Sequence, residues 1–213
     1  MYSYKDIRAG IYRRLRKKVV HPFYRMLSER SELYTTVQEF KTRAHALGFN
    51  KGYKHYAKYY TLYSFIRKHK PQYVLECGSG VTTMVMLLAL KENGAGTLIS
   101  MDESDFYGGT VKKIAKEMFP DASFEMHIVP SVRGVYAGIQ GTLYENLPDH
   151  PYGLVFVDGP ETPDIDLDAF FVLEKNPQTP VIIDVRYATI AALKQKYPQT
   201  YLRYLTNLGY LNV

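Results

Sequence analysis

The sequence predicts an α/β protein in which a doubly wound, mostly parallel sheet follows a basic helical extension. Three observations predict it. After residue 70, short and continuously apolar runs alternate with helical stretches, as in strands that helices bury on both faces. The first run ends in a glycine turn, Glu76-Cys77-Gly78-Ser79-Gly80, that feeds an apolar helix. The charge also changes sign along the chain: residues 1–70 carry 17 Lys/Arg against 4 Asp/Glu, and residues 71–213 carry 10 against 17, within a net charge of +6. Two parts with different tasks are expected, a helical extension or cap over 1–70 and a sheet domain over 71–213.

The first element is a basic amphipathic helix. Ile7, Ile11, Leu15 and Val19, with Tyr12 and Val20 beside them, recur at helical spacing, and Arg13, Arg14, Arg16, Lys17 and Lys18 crowd between them. It is expected to end near His21-Pro22, because the residue before proline avoids the α region. Three uses compete for it: packing on the main domain with a solvated basic face, an interfacial position on the anionic inner face of a membrane, or contact with an anionic polymer such as RNA. Residues 28–70 read as further helix, with Ser31 or Thr35 as N-caps and a break over Gly48 to Gly52. Tyr53, Tyr56, Tyr59, Tyr60 and Tyr63 fall mostly at helical spacing with Ile66, and such a stripe is expected to be a packed face.

Strands are then expected at 73–75, 96–101, 123–129, 153–157 and 180–183, with helices at 83–91, 109–118, 133–146, 166–174 and 189–197. Two short apolar runs, 201–205 and 208–213, joined by Thr206-Asn207, suit an antiparallel hairpin. The hydrophobic content, 46%, suffices for a substantial core. The lone Cys77 excludes an intramolecular disulfide and suits a small filler in the turn. No run approaches the ~18 apolar residues of a membrane span, and the first residues lack the order of a signal peptide. A soluble, cytoplasmic protein is expected, at most peripheral to the inner face of a membrane.

The glycine turn carries the most chemistry. Gly78 and Gly80 permit a tight strand-to-helix turn and let a ligand approach bare backbone, while the helix start offers unpaired N–H groups. A dinucleotide fingerprint needs a third glycine where Thr83 stands, which counts against it, and a phosphate loop needs a Lys after Gly80, which excludes it. An acid, Glu76, instead precedes the first glycine. Asp102 follows Gly80 by 22 residues at the end of the second strand, close to the ~20 expected of an acid that grips ribose hydroxyls. Glu103 stands next to it as a second candidate.

The Glu76-Cys77-Gly78-Ser79-Gly80 segment resembles the first motif of the class I S-adenosylmethionine (SAM) dependent methyltransferases, and the resemblance extends over about residues 60–213. It implies a Rossmann-like seven-stranded sheet closed by the final hairpin. It also implies a SAM site with Glu76, Gly78, Ser79, Gly80 and Thr83 at the methionine end, Asp102 and Glu103 at the ribose, and Ser131, after the third strand, near the adenine. The fourth strand ends Asp158-Gly159-Pro160, which resembles the small-molecule O-methyltransferase branch and implies that Asp158 lies near donor and acceptor. The fifth ends Asp184-Val185-Arg186. In metal-dependent catechol-type relatives two aspartates and a third oxygen ligand from these strand ends hold Mg²⁺. Here Asp158 and Asp184 match two positions and Val185 replaces the third, so no metal is expected.

The expected activity is methyl transfer from SAM to a hydroxyl, or another heteroatom, of a small-molecule or glycan-type acceptor, with Asp158 and Asp184 catalytic and Arg186 available to an anionic acceptor group. Helices before the first strand commonly cover the substrate side in such enzymes, so some of the tyrosines are expected in the acceptor pocket. Three alternatives stand beside it: an NAD-dependent oxidoreductase, which shares the ribose acid but should have a third glycine near Thr83; a nucleic-acid methyltransferase using the basic extension, against which the Asn/Asp-Pro-Pro-Tyr/Phe motif is absent; and a non-catalytic nucleotide-binding or membrane-attached module, against which all three donor-site acids are present. His45, His55, His127 and His150 lack metal-ligand spacing. The sequence gives neither the acceptor's identity nor the oligomeric state.

Overall fold

The computed structural model describes residues 4–49, 55–160 and 164–213, with side chains from Gly10 onward. Four helices precede the sheet: α1 (Tyr4–Leu15), α2 (His21–Ser28), α3 (Glu32–Ala46) and α4 (Tyr56–His69). The expected stop at His21-Pro22 does not occur. A π-helical turn, Arg16–Val20, carries α1 directly into α2, and the His21 N–H reaches back to the Arg16 carbonyl. Pro22 sits in the first turn of α2, and the wider π turn relieves the clash that proline makes with the carbonyl four residues before it. Ser31 caps α3, its Oγ accepting the Leu33 N–H, whereas Thr35 lies inside that helix and bonds the Glu32 carbonyl. The break begins at Gly48 (φ +88°); Asn50 to Lys54, Tyr53 among them, lie outside the described residues.

The sheet domain runs β1 (Tyr73–Cys77), α5 (Val81–Asn93), β2 (Thr97–Asp102), α6 (Asp105–Met118), β3 (Phe124–Ile128), β4 (Ser131–Tyr136), β5 (Ile139–Tyr144), β6 (Leu154–Val157), α7 (Asp168–Lys175), β7 (Val181–Asp184), α8 (Tyr187–Lys196), β8 (Tyr201–Arg203) and β9 (Leu208–Leu211). Seven strands lie in the order β3-β2-β1-β6-β7-β9-β8. β9 runs antiparallel to both its neighbours, and the pairs among the first five are parallel. The order reverses between β1 and β6, which puts a crevice at their carboxyl ends.

One expected helix is wrong. Residues 133–146 form the greater part of an antiparallel hairpin, β4–β5, paired from Ser131↔Tyr144 to Tyr136↔Ile139. Its two-residue turn, Ala137-Gly138, has positive φ at both positions, 48° and 84°, the mirror-image turn whose twist matches a hairpin. Close packing also explains the glycines opposite each other: a Cβ at Gly134 would meet Leu143 Cδ2 at 2.5 Å, and one at Gly141 would strike the Ile165 carbonyl.

Alternate strand residues feed two apolar layers. Val74, Leu98, Phe156 and Ile182 join α3, α4, α5 and α6 on one face, while Leu75, Ile99, Val157 and Ile183 join α7, α8 and the hairpin on the other. The helices α3 and α4 of the basic extension therefore share a core with the sheet. Tyr56 and Tyr59 are buried there and Tyr60 and Tyr63 pack against it, so the described part of the tyrosine stripe is a packed face.

Candidate active site

The glycine turn is held from below. Glu76 is fully buried and accepts hydrogen bonds from Thr82 Oγ1 (2.6 Å), Thr83 Oγ1 (2.6 Å) and Ser100 Oγ (2.7 Å). Burial pushes its carboxyl up to about 7, against the pull of the three hydroxyls. Thr83 Oγ1 also accepts the Gly80 N–H at 2.9 Å, taking one of the orphan donors at the start of α5. Glu76 and Thr83 thus lie under the turn and outside the cavity wall, and they fix the backbone that forms it.

Above the turn lies a cavity of about 590 Å³, within the range of ~300–1,000 Å³ usual for small-molecule sites. Gly78, Ser79, Gly80, Asp102, Glu103 and Asp158 line it, so six of the expected site residues converge there. Gly78 is left-handed (φ +92°), and a Cβ on it would stand 2.6 Å from the Gly159 nitrogen. The ends of β1 and β6 therefore touch backbone to backbone, which only glycine at both positions permits. Asp102 is buried and held by the Ser79 N–H (3.2 Å), the Ser79 hydroxyl and the Ser104 N–H (2.9 Å). Phe49 and Tyr107, whose ring centroids are 5.1 Å apart, add an aromatic wall. Ser131 begins β4, half-buried, and is not part of the wall.

The floor holds the residue that sequence reasoning missed. Lys58, on α4, places its Nζ 2.9 Å from Asp158 Oδ2 and 2.5 Å from Asp184 Oδ2. Burial alone would depress the ammonium, but the two carboxylates overcome it and hold Lys58 above its ordinary value. Burial raises the Asp158 carboxyl above the usual carboxylate range; Lys58 opposes this and Asp184 adds to it. Asp158 and Asp184 thus stand around one cation from a helix that precedes the sheet. The signal was a lysine amid the tyrosine stripe, at a position whose neighbours Ala57 and Tyr59 are buried. Arg186 is turned inward, donating to the Asp158 carbonyl (2.6 Å) and to buried Asp166 (3.2 Å). Cys77 is buried and free, its thiol pushed up by that burial.

Among the described residues no group of three His, Cys, Asp or Glu side chains is arranged to hold a metal ion. The donor set itself disagrees with the catechol-type site: Val185 offers no ligand, and the Lys58 ammonium stands between the two carboxylates. Val185 adopts φ +51°, a left-handed conformation that is rare for a β-branched residue.

The geometry agrees with the comparisons to known proteins. The family model described as "Methyltransferase domain" matches residues 75–183. No curated protein matches the chain. Among solved structures, a Staphylococcus aureus protein provisionally described as a caffeoyl-CoA O-methyltransferase has a similar fold, with a TM-score of 0.57 at 13% identity, covering 91% of this chain and 98% of that one. The SAH-bound methyltransferase PaMTH1 of Podospora anserina gives 0.55 at 12% identity, over 84% and 86% of the two chains. A Geobacter sulfurreducens methyltransferase gives 0.51 at 14%, over 84% and 90%. The order of the seven strands, the glycine turn at the switch point and the family match together place this chain in the methyltransferase family.

Proposed function

We propose that this protein transfers a methyl group from SAM to a hydroxyl oxygen of a small-molecule or glycan-type acceptor, and that Asp158 is the general base. The observation that carries the reading is that Asp158 lines two cavities at once. One is the 590 Å³ cavity over the glycine turn; the other, about 460 Å³, is bounded by Asp158, Asp164, Asp184, Arg186 and Tyr187. A carboxylate on the boundary between donor and acceptor spaces is placed to take a proton from an acceptor hydroxyl.

Bound SAM supplies an electrophilic methyl group. The chain's own residues do the rest. In this reading the Gly78–Gly80 backbone and the start of α5 receive the methionine end, Asp102 and Glu103 the ribose hydroxyls, and the Phe49 and Tyr107 rings the flat base. Asp102 is already oriented by Ser79 and Ser104. Asp158 accepts the acceptor's proton, its raised pKa making it a stronger base than an ordinary carboxylate. Lys58 and Asp184 position that carboxylate, and the ammonium supplies positive charge where the acceptor oxygen becomes negative. We infer that this fixed ammonium performs the charge stabilisation that a divalent ion performs elsewhere, so turnover proceeds in chelator.

The test is a pair of measurements on wild type and Asp158→Asn: SAM affinity by calorimetry, and methyl transfer to a panel of phenolic and sugar hydroxyls. The variant should keep SAM affinity within about threefold and lose roughly 10²–10⁴ in rate, the size of a general-base contribution. Equal loss in both would move Asp158 to donor binding, and no SAM binding by wild type would end the reading.

We also propose that the outer face of α1 and α2 rests on an anionic membrane surface. Ile11, Leu15, Val19, Phe23 and Met26 form an exposed row in which even Leu15 is 41% exposed. Positions four apart drift around an α-helix by about 40° per step, and the intervening π turn, right-handed but more loosely wound, falls short of a full turn in four residues and offsets that drift. Arg14 and Lys18 lie exposed along it, the pattern of an interfacial helix. Among the described residues no helix is long and apolar enough to cross a membrane.

A further inference from the structure

The opposite face of the same helices does something else. Half-buried Arg16 and His21 and the exposed Arg13 and Lys17 line, with His55, Lys58, Asp184, Val185, Thr206 and Asn207, a third cavity of about 170 Å³. It adjoins both others, sharing His55 and Lys58 with the cavity over the glycine turn and Asp184 and Val185 with the acceptor cavity. The Lys58–Asp158–Asp184 cluster is thus where all three meet.

The charge of this third space is one-sided. Arg13, Arg16 and Lys17 form no ion pair with any carboxylate among the described residues. The one acid in the wall, Asp184, is already engaged by Lys58 at 2.5 Å. His21 Nδ1 is buried without a hydrogen-bond partner, and the His21 and His55 rings meet edge to face at 5.8 Å. Three uncompensated cations and an unused imidazole nitrogen around a small space are a poor arrangement for an empty groove and a good one for an oxyanion.

We propose that this cavity binds a phosphate group of the acceptor, so that the substrate is a phosphorylated alcohol or phenol whose hydroxyl reaches Asp158 while its phosphate lies among Arg13, Arg16, Lys17 and His21. This inference rests on the transfer reading of the neighbouring site. The basic extension then serves the reaction directly: it carries the phosphate pocket on one face and a membrane-facing row on the other. Arg186, bound to Asp166 and the Asp158 carbonyl, fixes the base loop, and the acceptor's charge is met by α1 and the π turn instead.

The experiment is calorimetric titration of the full chain with inorganic phosphate at low salt, followed by glycerol phosphate in solution and by vesicles containing phosphatidic acid. Three proteins are compared: wild type, Arg16→Gln/Lys17→Gln, and Arg14→Gln/Lys18→Gln, which removes equal charge from residues of the same helices that do not line the cavity. Wild type should show saturable single-site binding. Toward inorganic phosphate the first variant should lose roughly tenfold or more and the second less than about threefold, a contrast of one charge-assisted contact or more. Response to glycerol phosphate assigns a free phosphate ester as the source; no response to glycerol phosphate, with vesicle binding that Arg16→Gln/Lys17→Gln weakens more than Arg14→Gln/Lys18→Gln does, assigns a lipid headgroup. Absence of saturable phosphate binding by wild type, or equal weakening in the two variants, overturns the proposal. SAM titrated into the same three proteins separates the two readings: failure of wild type to bind SAM refutes the transfer site whatever phosphate does, and intact SAM affinity in both variants shows that their folds persist.

Discussion

Lys58 Nζ lies 2.5 Å from Asp184 Oδ2, tying a helix that precedes the sheet to the end of β7. Two carboxylates facing one another at such a site repel, and the ammonium within hydrogen-bond reach of both offsets that repulsion. Lys58→Met, which keeps the length and removes the charge, should cost about 1–3 kcal/mol in denaturant unfolding, because it leaves two part-buried carboxylates facing one another unpaired. It should also raise the Asp158 pKa further. The base must be deprotonated to work, so the acid limb of the rate profile should move to higher pH. Lys58→Arg should keep most of the stability; a Lys58→Met profile unmoved from wild type would remove the lysine from the base's environment.

Asp102 carries a separate expectation. Its carboxylate already receives two backbone N–H groups and the Ser79 hydroxyl, so it is oriented before any ligand arrives. Asp102→Ala should weaken SAM binding roughly tenfold to a hundredfold, the loss of one or two hydrogen bonds to a charged group, while the rate at saturating SAM changes little. Unaltered affinity would take the ribose role from Asp102.

The parallel sheet and the glycine-turn side of the cavity were legible because they are local. A short apolar run, an acid and two glycines within a few residues specify strand, turn and helix start, and Asp102 follows at a fixed spacing. The hairpin was not legible as such. Its residues 133–146 include three glycines and mixed polarity, and only the positive φ of Ala137, which the sequence does not announce, makes Ala137-Gly138 a hairpin turn. Lys58 was hidden for a different reason: its partners Asp158 and Asp184 lie far along the chain, and a lysine in an aromatic helix looks solvated until the sheet end is placed beside it. Glu76 was legible as important, but its contacts are the hydroxyls of Thr82, Thr83 and Ser100 under the turn.

Glu76 gives a pH prediction with a definite sign. Its folded pKa, about 7, lies above its ordinary value of 4.5 because burial disfavours the charged form. A raised acid contributes stability that is fully present below pH 4.5 and is lost as pH rises through about 7. Over that window the loss is on the order of 3 kcal/mol. Asp166 and Asp168, raised by burial to about 6 and about 7, act in the same direction. Glu76→Gln should therefore flatten, without abolishing, the fall in unfolding free energy between pH 4.5 and 7. Identical slopes for wild type and variant would show that Glu76 stays ionised in the fold.

The last prediction concerns the outer row of α1 and α2. Exposed cations on Arg14 and Lys18 attract an anionic bilayer over a Debye length of about 10 Å at 0.1 M salt, and the apolar row then gains from insertion. Flotation with phosphatidylserine vesicles should be strong at low salt and weaken as salt rises. Val19→Glu/Phe23→Ser should abolish it, because two exposed apolar side chains on that row, 57% and 50% accessible, are lost and a negative charge is added. The same variant leaves Arg13, Arg16, Lys17 and His21 in place, so phosphate titration should be unchanged. Flotation that survives the double substitution would mean that charge alone holds the protein to the surface. No flotation by wild type at low salt would leave the row without a membrane role and return the helix to simple packing on the domain.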